Sequence, residues 1–147
     1  MHVLFAISRV LLVLIFVFLG GQKLFDIPTF AALVEKAVAV PDALQDIVGQ
    51  LEGTTGMKWP HLLTILIGAV EVVGGLLIAF NIATRGAAFV LAIFTLVATY
   101  YFHAFWNMSG VAVQETMIHA LKNLSILGGL LTFVVLGSWR PAPSNQI

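Results

Sequence analysis

Residues 61–80 read H-L-L-T-I-L-I-G-A-V-E-V-V-G-G-L-L-I-A-F, an apolar run of about 20 residues, the length that crosses a bilayer as one helix. One carboxylate, Glu71, stands near its middle. A charge at that depth costs about 3 kcal/mol on insertion scales, so it has to face a polar interior and find a partner there. Helical spacing puts Thr64, Gly68, Glu71 and Gly75 at i, i+4, i+7 and i+11, forming one small and polar stripe. The rest of the chain must supply what meets that stripe.

The composition says where the rest of the chain lies. Of 147 residues, 60% are hydrophobic and 10% charged, against about a quarter charged in soluble domains. The expectation is an integral membrane protein whose residues 1–147 form a single domain in contact with the lipid bilayer. A formal net charge of zero leaves no basic footprint for nucleic acid. The absence of cysteine excludes disulfides, thiolate nucleophiles and Cys-ligated metal or iron–sulfur centres within the chain. Any redox chemistry has to run through a bound cofactor or a partner.

Four spans are expected, at about residues 3–19, 62–80, 86–102 and 115–136, giving an all-α four-helix bundle. The first run is interrupted by Arg9 and precedes no A-x-A site, which fits an uncleaved helix rather than a signal peptide. Arg9, Phe16, Gly20 and Lys23 share one face of it. The connection 20–61 is net acidic, and Pro28 and Pro41 each open a short apolar-periodic run. Proline suits a first helical turn, so short helices are expected here, lying at the interface or capping the bundle. Ala88, Ala92, Thr95, Thr99 and His103 make a third stripe, and Glu115, His119, Lys122, Ser125, Gly129 and Thr132 a fourth. Residues 138–141 close the last span, and the polar tail 142–147 is expected to be loose. Four spans bring both termini to one side, and the arginine density of the short segments there assigns that side to the cytoplasm.

Counting depth at about 1.5 Å per residue puts Glu71, Arg9 and Lys122 in one layer, with Lys23, His61, His103, His119 and Glu115 nearer the outer surface. The expected arrangement is a polar pocket in which Arg9 or Lys122 neutralises Glu71. The competing structural reading makes that pair a device for helix register only, since buried ion pairs add little net stability. Gly68, Gly74, Gly75, Gly128 and Gly129 read as close-packing positions rather than a ligand loop. A histidine pair across facing helices would suit haem, but no H-x-x-H or H-E-x-x-H spacing exists. Proton exchange with a bound ligand is favoured over haem, and no metal site is expected.

Four segments carry a resemblance to a known family. They are S-R-V-L-L-V-L-I-F-V-F-L-G-G-Q-K-L-F at 8–25, E-V-V-G-G-L-L-I-A-F-N-I-A-T-R at 71–85, F-H-A-F-W at 102–106 and H-A-L-K-N-L-S-I-L-G-G-L-L at 119–131. In their order and spacing the chain resembles the DoxX family of small four-helix bacterial and archaeal membrane proteins. The family's pattern of charged and polar positions corresponds here to Arg9, Lys23, Glu71, His103, Lys122 and Asn123. The resemblance implies a membrane subunit of an oxidoreductase system, with quinone as the candidate ligand and the electron donor on a soluble or membrane partner. It does not imply a complete catalytic site in this chain. On this reading Lys122 or His103 binds a quinone ring, the tail lies among Phe94, Phe102 and Phe105, and Glu71 or His119 relays protons. The alternatives are a non-catalytic scaffold or binding module, and a small anion-binding transporter that would need an oligomer.

Overall fold

The computed structural model describes residues 2–137, all of whose regular structure is helical. The tail expected to be loose, residues 142–147, lies outside the described residues. Six α-helices follow in order: α1 His2–Phe25, α2 Ile27–Ala37, α3 Gln45–Thr55, α4 Trp59–Ala79, α5 Thr84–Phe102 and α6 Ala112–Leu136. Four of these, α1, α4, α5 and α6, are long and apolar enough to cross a membrane. At 1.5 Å per residue they run about 29–38 Å, matching a hydrocarbon core of about 30 Å. Large apolar side chains cover the outside of the bundle: Leu4, Phe18, Leu66, Leu124 and Val135 are each more than half exposed. In water that surface would be ruinous; against lipid it costs nothing.

The long helices alternate in direction, so residues 2 and 137 lie at the same end, where Phe5 of α1 meets Phe133 of α6 at 5.3 Å between ring centroids. We call this the terminal end and the other the loop end. α1 packs along α4 and α5 along α6, while contact between α1 and α6 is sparse. The terminal half is filled by Val13 and Phe16 from α1, Ile78 from α4, Ala88 and Leu91 from α5, and Leu130 and Phe133 from α6. A tight turn joins α4 to α5 with Asn81 and Ala83 at positive φ, and Arg85 ties the start of α5 to α6 by donating to the Val135 carbonyl at 3.1 Å.

Close approach of α1 to α4 depends on three glycines, Gly20, Gly68 and Gly75, the last packed against Val17 of α1. A side-chain carbon at Gly20 would stand 2.7 Å from Glu71 Cβ and 2.9 Å from the Gly68 carbonyl oxygen. One at Gly68 would stand 2.8 Å from Leu24 Cγ. The small residues that let membrane helices touch therefore also set α1 against the carboxylate of α4. Because Gly20 is an interface residue inside the helix, α1 does not stop near residue 19 but continues to Phe25. Gly128 differs from expectation: nothing lies within 4 Å of where its Cβ would be.

The connection expected at 20–61 is mostly helical. Asp26 caps α2 by accepting from the Thr29 amide at 3.4 Å, and proline occupies its first turn. Ala31 and Val34 of α2 are buried, and α2 lies against α4. α3 has no buried residue. It ends on Gly56 in the left-handed conformation, and Glu52 accepts from the Trp59 amide at 2.8 Å, fixing α3 to the start of α4.

Candidate functional site

Glu71 is buried at 4% exposure, and its partner is Lys23: Nζ to Oε2 is 2.7 Å. The geometry follows from helix direction. Side chains on an α-helix lean toward its N-terminus. On antiparallel α1 and α4, Lys23 and Glu71 therefore lean toward each other across the Gly20–Gly68 contact. The ammonium also reaches the Leu19 carbonyl at 3.4 Å and stands 5.7 Å from the centre of the Phe30 ring on α2. A charge-assisted bond in a low-dielectric setting is short and strong, and neither partner can be removed cheaply.

The expected partners of Glu71 are not the observed ones. With α1 running to Phe25, Arg9 lies about 24 Å from the loop end. Its guanidinium sits 5.6 Å from the Phe5 ring centre, with Nε and Nη1 buried and lacking hydrogen-bond partners. Lys122 is exposed on α6. The inward face of that helix is Thr116, Ala120, Asn123, Leu127 and Leu130, so Glu115, His119, Lys122, Ser125 and Thr132 are turned outward. The stripes on α1, α4 and α5 do face inward; of the one on α6, Gly129 packs against Leu12 of α1, while the exposed polar members do not.

At the loop end, where the core stops, the helices enclose a cavity of about 590 Å³. It reaches α1, α2, α4, α5 and α6, and its walls are overwhelmingly apolar rather than polar. Lys23, Glu71 and Thr64 stand on the α1–α4 wall, and Thr95, His103 and Asn123 on the α5–α6 wall. Its lining includes Leu66 of α4 and Ile93 and Val97 of α5, which are 59%, 47% and 49% exposed. The cavity is partly open, and its exposed margin, to which Leu33 of α2 also contributes, is apolar and continuous with the surface that faces lipid. Phe94 and Phe102 line it as expected, but Phe105 and Lys122 do not. Phe30, Leu33 and Val34 of α2, with Val38 just past its end, also line it. Sequence reasoning missed them, although Phe30, Leu33 and Val34 carry the i, i+3, i+4 spacing of a buried helix face.

On the α5–α6 wall, His103 ends α5 by donating its amide to the Thr99 carbonyl at 2.9 Å. Its ring stacks on that of His119, 5.3 Å between centroids and 13° from parallel. Below them Asn123 Nδ2 donates to Thr99 Oγ1 at 2.9 Å, and Thr99 donates in turn to the Thr95 carbonyl at 2.6 Å. His61 is half-buried away from the cavity lining, with Nδ1 buried and without a hydrogen-bond partner. Among the described residues no group of three His, Asp or Glu side chains converges. The histidine pair by itself offers two donors.

Comparison with known proteins places this architecture. A family model described as DoxX matches residues 4–104, which include Lys23, Glu71 and His103. The chain belongs to the DoxX family. This DoxX protein is also 30% identical over 135 residues to the inner membrane protein YphA of Escherichia coli (strain K12), covering 92% of this chain and 84% of that one. No solved structure matches it. As a member of that family with four bilayer-length apolar helices, it is a multi-pass membrane protein.

Proposed function

We propose that this protein holds a membrane quinone in the loop-end cavity and serves as the quinone-interacting subunit of an oxidoreductase system in a bacterial inner membrane. The inner membrane location is taken from the name of its relative YphA, and the electron donor would be another protein. The observation that carries the reading is the exposed apolar margin of the cavity, on helices whose outer surface faces lipid. A ligand that enters there arrives from the bilayer, so it is lipophilic. An aqueous anion would need a polar entrance, and this one is framed by Leu66, Ile93 and Val97.

The polar groups favour a ligand with two acceptors. Lys23 stands on one wall and His103 and Asn123 on the opposite one. A 1,4-quinone carries carbonyl oxygens on opposite sides of a flat ring, and apolar walls suit its ring and tail. About 590 Å³ accommodates such a head with part of its tail. Lys23 would donate to one carbonyl while staying close to Glu71, which keeps a proton source at that pole. His103 would serve the other. Lys122, exposed on the far side of α6, has no part in it.

Protein reconstituted in nanodiscs should bind decylubiquinone, measured by quenching of tryptophan fluorescence. Lys23→Met should weaken binding at least tenfold. No saturable binding, or equal affinity in that variant, would overturn the proposal.

A further inference from the structure

The two polar walls differ in their access to water. Lys23 and Glu71 lie inside the bundle, and Glu71 is 4% exposed. The histidines lie where α5 ends, level with the Phe105–Asn107 turn that carries Trp106. Aromatics of that kind mark the headgroup layer, where water is present. His119 is exposed, while His103 lines the cavity, and the two rings stack. One imidazole is exposed at the level of that layer, the other lines the ligand space, and the two rings are in stacked contact.

We propose that His119 and His103 form the proton port of the cavity. This rests on the quinone reading above. Imidazole accepts a proton at one ring nitrogen and releases one from the other, and its ordinary pKa lies near neutrality. A ring pair bridging water and a ligand is therefore suited to passing protons, whereas a Phe or Gln pair would only close the gap. The other titratable groups around it are Lys23, Glu71 and Tyr101 on the cavity lining, and Glu115 and Lys122 on the exposed side of α6. Tyr101 is likewise exposed and on the lining, but a phenol has one oxygen and cannot accept a proton at one atom while releasing another from a second, as an imidazole can.

Reduction of a quinone sets the proton count. Two electrons and two protons convert the two carbonyls to hydroxyls, and the ring becomes aromatic. In the cell the electrons come from the partner's reducing centre. One proton reaches the carbonyl at the α5–α6 wall through His119 and His103; the Lys23 ammonium donates the other and is reprotonated from the loop end, where part of its side chain is exposed. His119 acts through His103 and is a positioning and relay residue rather than a catalytic one.

The full chain, in a bilayer tethered to an electrode that supplies the electrons, tests this with decylubiquinone as the probe. His119→Gln and His103→Gln should slow proton-limited reduction of bound quinone about tenfold or more. Imidazole added to the water at the loop end should restore the His119→Gln rate. Unchanged rates in both variants, with decylubiquinone affinity retained, would overturn the port and leave the site standing. Absence of quinone binding in the unmodified protein would overturn both.

Discussion

Replacing Lys23 by Met isolates what the buried pair contributes. The variant keeps the side-chain length and the apolar contact with Phe30, but leaves the Glu71 carboxylate in the bundle without its cation. Removing one partner of a buried pair costs about 3–5 kcal/mol. The carboxylate can escape by taking a proton. At pH 7, starting from an ordinary carboxylate value of about 4.3, that costs about 3.7 kcal/mol and sets the ceiling. Lys23 keeps 19% of its side chain exposed, so solvent already screens part of the attraction, and the expected loss is about 3 kcal/mol at pH 7. Because the escape consumes a proton, the deficit should shrink by about 1.4 kcal/mol for each pH unit below 7. Glu71→Gln leaves Lys23 free to extend to the membrane surface and should cost only about 1 kcal/mol. The double variant Lys23→Met with Glu71→Leu should return to within about 1 kcal/mol of the parent, while losing quinone affinity. Equilibrium unfolding in mixed micelles, followed by tryptophan fluorescence at pH 7 and 5.5, measures all four. A Lys23→Met variant as stable as the parent at pH 7, or one whose deficit grows as pH falls, would refute the reasoning.

Three further outcomes follow from the packing. Gly20→Val should destabilise by about 1–3 kcal/mol through forced separation of α1 and α4, whereas Gly128→Ala, with open space at its Cβ, should be neutral or stabilising in the same unfolding assay. Arg9→Met removes a guanidinium whose Nε and Nη1 are buried and unpartnered, so it should cost less than about 1 kcal/mol or stabilise. Lys122→Ala should leave decylubiquinone affinity within about twofold, as dissociation constants in nanodiscs would show; a larger loss would place Lys122 at the cavity after all.

The spans and three of the four polar stripes were legible in the sequence because burial in a bilayer imposes length and periodicity together. Thr64, Gly68, Glu71 and Gly75 read as one face and pack as one face. The α6 stripe was misread for a physical reason. Polarity identifies an inward face only when polar groups have no other way to be satisfied. On α6, Ser125 and Thr132 turn their hydroxyls back onto the Leu121 and Gly128 carbonyls, at 3.1 Å each, and can face outward. A lysine stem can likewise carry its charge toward the surface from an outward position. The partner of Glu71 was misassigned because depth was counted from a helix end placed at residue 19. Moving that end to Phe25 shifts every residue of α1 by about 9 Å, enough to exchange Arg9 for Lys23.

That shift also explains why the pair and the cavity occur together. Gly20 and Gly68 hold α1 and α4 in contact, and Lys23 and Glu71 lie at the margin of that contact. Toward the terminal end α5 and α6 close against them through Ala88, Leu91 and Leu130, all fully buried. Toward the loop end the core residues give out and α2 folds back over the gap, with its buried Val34 on the cavity lining. A pair placed deeper would be sealed in protein and serve register alone. One placed nearer the loop end would be lost to water. At this depth the ammonium is shielded enough to need its carboxylate while part of its side chain stays exposed, and the proposed quinone site rests on that balance.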